Sequence, residues 1–108
     1  MLPSQIVEEL SRLTQELSKG YNALYEAECE LAEADKLLDT TEQKAFISAQ
    51  GTVADRTALA RLESAEVRFS RDLSRAGVNR IKMKIRALES SLTASQTMAK
   101  LIDTEARL

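Results

Sequence analysis

The chain has 108 residues, a formal net charge of −2, a single Cys, no His, no Trp and 4% aromatic residues. That length holds one domain at most, and without His or a second Cys one chain builds neither a familiar zinc centre nor a Cys/His catalytic set. Three Gly, one Pro and 44% hydrophobic residues suit long helices better than strands and turns.

The opening Met1-Leu2-Pro3-Ser4-Gln5 has no basic segment leading into an apolar run, so no secretory signal is expected. No stretch approaches the roughly 18 consecutive apolar residues of a spanning helix, so no membrane partner is expected. Cys29 has no intrachain partner, and a cytoplasmic location is the expectation.

The first element carries a seven-residue repeat. Leu10, Leu17, Leu24, Leu31 and Leu38 recur in phase, and Ala45 continues the row. A second row holds Ile6, Leu13, Gly20, Ala27, Ala34, Thr41 and Ser48. This is an a/d coiled-coil pattern with mostly small residues at d, which lets a partner helix approach closely. It predicts one helix over about residues 3–50. Asp39-Thr40-Thr41-Glu42 offers an alternative helix start through a capping box.

A turn follows at residues 50–53. Gly51 suits the left-handed position that ends a helix. Thr52 suits an N-cap, and Asp55 three residues later suits the reciprocal half of a capping box. A stop followed at once by a start predicts a tight αα-hairpin.

The second helix is predicted over about residues 53–106. Its expected apolar line runs Leu59, Leu62, Phe69, Leu73, then Ile81, Ile85, Leu88, Leu92, Ala99 and Ile102. From Phe69 to Ile85 the steps are all four residues, through Gly77, which reads as a stutter that locally unwinds a supercoil. Gly77 marks either a bend or a close helix contact, and Phe46 and Phe69 are expected in the core. With the turn near residue 51, Leu10 is expected opposite Leu92, Leu17 opposite Ile85, and Leu31 opposite Phe69 or Leu73. The fold class that follows is all-α: residues 1–108 as one long antiparallel helical hairpin, a coiled coil. So thin a hairpin has little core, so self-association into a homo-oligomer is expected.

Charge is divided unevenly. Residues 1–43 hold ten acidic and three basic side chains, whereas residues 56–86 hold nine basic and three acidic ones. At about 100° per residue, Arg61, Arg68, Arg71, Arg75, Lys82 and Arg86 fall on one flank of the second helix. Arg61 to Arg75 lie opposite the acidic run from Glu28 to Asp39, so interhelical salt bridges explain them. Arg80, Lys82, Lys84 and Arg86 face only Glu16 and Lys19 and lack that explanation. Two readings remain open for these four: phosphate binding, which needs repeated Lys and Arg but no base-reading groups, or pairing with solvent or a neighbouring subunit. Tyr21 and Tyr25 sit on the acidic half, so contact with the nucleic-acid backbone is favoured over stacking. No catalytic residues, cofactor or metal site are expected, since no phosphate-cradling loop, nucleophile elbow or isolated carboxylate pair is present.

The run from Lys44 through Gln50-Gly51-Thr52 to Arg56 joins an acidic, Tyr-bearing helix to a basic one. The later Arg80-Ile81-Lys82-Met83-Lys84-Ile85-Arg86-Ala87-Leu88 leads into a polar-aliphatic tail. This pattern resembles small helical-hairpin proteins of tailed bacteriophages, including those similar to the UvsY-type recombination mediators. The resemblance implies a ring-forming, non-enzymatic accessory protein in the host cytoplasm. It implies binding of single-stranded DNA and partnership with a recombinase and a single-strand-binding protein. The residues it carries over are Arg68, Arg71, Arg75, Arg80, Lys82, Lys84 and Arg86. The competing expectation is a structural or adaptor coiled coil with protein partners alone.

Overall fold

The computed structural model describes residues 2–108, and among them helix is the only regular structure. Helix α1 spans Pro3–Ser48, α2 spans Val53–Glu63 and α3 spans Ala65–Arg107. The described residues fall into two compact units, residues 2–24 with Arg80–Leu108, and Tyr25–Asn79.

The second of these units is a helical hairpin, and its turn follows from three side chains. Gly51 has φ +110, a region that disfavours residues carrying a Cβ. A Cβ there would also meet an Asp55 carboxylate oxygen at 2.9 Å. The Asp55 backbone N–H donates to the Thr52 hydroxyl at 3.1 Å, while the Thr52 N–H donates to the Asp55 carboxylate at 3.2 Å. The predicted capping box is therefore formed. Arg56 clasps the end of α1, its Nε donating to the Phe46 carbonyl at 3.2 Å and its guanidinium lying 4.3 Å from the Phe46 ring centroid. The alternative helix start at Asp39 is not used, since α1 runs unbroken through it.

The seam of this unit differs from expectation. Leu62 and Phe69 are 73% and 60% exposed, and Leu59 and Leu73 are exposed with them. The inward positions are Ala60, Ser64, Val67, Arg71, Ser74 and Val78, which pack in the unit that also buries Leu38 and Ala45. Steps of four and three alternate without interruption from Ala60 through Val78, Ile81, Ile85, Leu88 and Leu92 to Ile102, so no stutter exists. The inward row before Ile81 is mostly small or polar. The expected apolar line through Leu59, Leu62, Phe69 and Leu73 faces outward instead. Gly77 marks neither a break nor a close contact, because nothing lies within 4 Å of where its Cβ would be.

The second helix is instead interrupted at Ser64, which has φ −94, ψ 6 and is fully buried. Its hydroxyl donates to the Ala60 carbonyl at 2.7 Å. Such back-bonding from a mid-helix Ser competes with the backbone ladder and bends helices.

In the other unit, the N-terminal part of α1 packs antiparallel on the C-terminal part of α3. Ile6, Leu13, Leu17 and Ile85 form its buried centre. Gly20 leaves a hole on α1 that seats Ile85, whose Cγ1 would be 3.1 Å from a Cβ at that position. Nearer the termini, Ile6 and Leu10 share an apolar groove with Ala99 and Ile102. Ile85 thus seats against Gly20, three residues along α1 from the Leu17 it was expected to face.

Candidate nucleic-acid interface

The seven basic residues marked by the sequence separate into two groups with different surroundings. Arg68 and Arg71 are occupied within the Tyr25–Asn79 unit. One Arg68 nitrogen donates to Glu42 at 3.3 Å and to the Ser64 hydroxyl at 3.0 Å, and the other donates to the Arg61 carbonyl at 3.2 Å. The guanidinium therefore fills the gap in the helix ladder that Ser64 opens, and ties it to α1. Arg71 donates to Asp72 at 2.8 Å and to Asp35 at 3.2 Å. Those hydrogen bonds, from Asp72 first and Asp35 second, hold its guanidinium above the ordinary arginine range. Both side chains are four-fifths buried or nearly so, and neither has a free fork to offer a phosphate. Of the salt bridges expected with the acidic run, the one from Arg71 to Asp35 forms; Arg68 takes Glu42 just beyond that run, and Arg61 and Arg75 make no ion pair among the described residues.

Arg75, Arg80, Lys82, Lys84 and Arg86 are exposed and make no ion pair among the described residues. Arg75 belongs to the Tyr25–Asn79 unit and the other four to its companion. Residues four apart on a helix are neighbours on its surface. Lys82 and Arg86 thus form a row on one flank of the seam, and Arg80 and Lys84 form a row on the other side. Met83, 68% exposed, lies between them. On α1 the nearest candidate counter-charge, Glu16, is engaged by Lys19 at 3.6 Å. Lys84 lines a shallow cleft with Glu16, Gly20 and Ile85 without an ion pair to that carboxylate.

Two like-charged pairs at i, i+4 destabilise a helix by about 0.2–0.5 kcal/mol each. The fold draws no ion pair in return among the described residues, and this sets the cluster apart from Arg68 and Arg71. An anion held between the two members of a row would relieve that repulsion.

Aromatic groups add little to this surface. Phe69 is exposed instead of in the core, and it lies in the other unit, as does Tyr25; Tyr21 is half exposed. Cys29 is exposed and free. Among the described residues no group of three or more Cys, Asp and Glu side chains converges as a metal site, and no helix is long and apolar enough to cross a membrane.

Two features escaped the sequence reading. One is the bonding of Arg68 to the Ser64 hydroxyl and the Arg61 carbonyl, signalled only by a Ser in mid-helix four residues before it. The other is the outward row Leu59, Leu62, Phe69 and Leu73, which was assigned to the seam. Comparison of the chain with protein-family models, characterised proteins and solved structures finds no match.

Proposed function

We propose that the chain is a non-enzymatic, oligomeric accessory protein that binds single-stranded DNA along its phosphate backbone. The observation that carries this reading is the cluster Arg80, Lys82, Lys84 and Arg86, four exposed cations in seven residues without an ion pair among the described residues. Arg75, in the other unit, is likewise exposed and makes no ion pair among the described residues. Arg68 and Arg71 act in the fold instead. Sequence-independent binding follows from this chemistry, because point charges on a helix meet phosphates while no aromatic platform meets bases. The resemblance to UvsY-type mediators extends the proposal to the loading of a recombinase onto strands held by a single-strand-binding protein.

A fluorescence-anisotropy titration with a labelled oligonucleotide tests the binding. Affinity is expected to fall steeply with salt, with a log–log slope of about −0.7 per phosphate contact. The double change Lys82→Glu and Lys84→Glu is expected to weaken binding by about tenfold or more and to flatten that slope. Absence of binding at low salt overturns the proposal.

A second reading, a structural coiled coil with protein partners only, draws on the outward apolar row and on the cross-helix pairs of Arg68 and Arg71. It predicts an assembled protein that is indifferent to the oligonucleotide.

A further inference from the structure

The Tyr25–Asn79 unit leaves a row of large apolar side chains on the side of α2 and α3 away from its seam. Leu59, Leu62, Phe69 and Leu73 are all exposed. At about 100° per residue they fall within about 80° of one another, roughly opposite Ala60 and Ser64. Contiguous exposed rows of this kind mark association surfaces.

The row is self-complementary. Leu59 and Leu73 lie seven residues to either side of Glu66, and Leu62 and Phe69 lie four before and three after it. We infer that a second copy of this chain covers the row, packed antiparallel about a two-fold axis at Glu66. That operation sets Leu59 against Leu73 and Leu62 against Phe69 of the copy, twice over, as an isologous contact requires.

Charge agrees with the same axis. Arg61 and Asp72 lie on one flank of the row, five residues before and six after Glu66. In an antiparallel pair the same flanks face each other, so Arg61 of each chain meets Asp72 of the other. Arg61 makes no ion pair within the chain among the described residues. Among the described residues the Asp72 carboxylate is bonded only to the neighbouring Arg71. Glu66 meets its own copy on the axis, which is an unfavourable contact. A copy is therefore the occupant that the row itself describes, by spacing and by sign. This deepens the oligomeric part of the reading above and needs no nucleic acid.

The test uses the full chain without DNA, in a Cys29→Ser background. Light scattering coupled to chromatography is expected to give a mass of two chains or an even multiple. Leu62→Glu with Phe69→Glu is expected to halve it while the helical circular dichroism is retained. Glu66→Cys is expected to form a self-disulfide under mild oxidation, whereas Thr57→Cys, off the row, is not. Glu66→Leu is expected to lower the dimer dissociation constant. A monomer at all concentrations, an assembly unchanged by Leu62→Glu with Phe69→Glu, or a Glu66→Cys chain that cross-links no faster than Thr57→Cys each overturns the inference. The DNA titration is read separately, so either proposal can fail while the other stands.

Discussion

Gly20 and Gly77 both sit inside long helices, but the space around them differs. A methyl group at Gly77 meets nothing within 4 Å, whereas at Gly20 it meets buried Ile85 at 3.1 Å. Gly costs a helix interior about 1 kcal/mol relative to Ala. Gly77→Ala is therefore expected to stabilise the chain by about 1 kcal/mol, read from urea unfolding followed by circular dichroism. At Gly20 the same gain is set against overpacking worth about 1–3 kcal/mol, so Gly20→Ala is expected to be no more stable than the parent. Gly51 is different again. Its φ of +110 and the Asp55 carboxylate beside it exclude a side chain for two separate reasons.

Among the helices, the junctions carry more information than the interiors. The capping box at Thr52 and Asp55 starts α2 within a residue of the turn, and Thr52→Ala is expected to cost about 1 kcal/mol. The interruption at Ser64 is held by Arg68, which joins Ser64, the Arg61 carbonyl and Glu42. Hydrogen bonds that involve a charged partner contribute about 1.5–3 kcal/mol, less where water still reaches them. Arg68→Ala is expected to lower stability by about 1–2 kcal/mol, while Arg75→Ala, which breaks no ion pair, stays within about 0.5 kcal/mol of the parent. The same urea midpoints decide between them. Equal losses would remove the distinction drawn here between structural and free cations.

The molecule as a whole depends on a thin core. Its buried apolar residues include Leu13 and Leu17 in one unit and Leu38, Ala45 and Ala60 in the other. Truncating a buried Leu costs about 2–5 kcal/mol, against a total stability of about 5–15 kcal/mol for ordinary domains. Leu13→Ala is thus expected to lower stability by about 2–5 kcal/mol, read as a fall in the thermal melting midpoint followed at the helical signal. Burial of Leu62 and Phe69 against a second copy would add the apolar contact that a single chain lacks, and stability is then expected to rise with protein concentration.

Helix content, the turn at Gly51, the capping box and the paucity of internal counter-charge around Arg80–Arg86 were all readable from residue order. Each depends on neighbours within a few positions of the chain. A seven-residue repeat, a capping pair and a local excess of cations are short-range signals. Which stripe of the second helix faced inward before Ile81 was not readable, because Leu59, Leu62, Phe69 and Leu73 are as regular as the small residues that took their place. Packing decided it: α1 accepts Ala60, Ser64 and Val67 in the continuous heptad phase that Ile81 and Ile85 set downstream. The separation of Arg68 and Arg71 from the free cations has the same origin. A side chain's partner lies on another helix, and only the register of the packed pair determines whether Glu42 and Asp35 stand within reach.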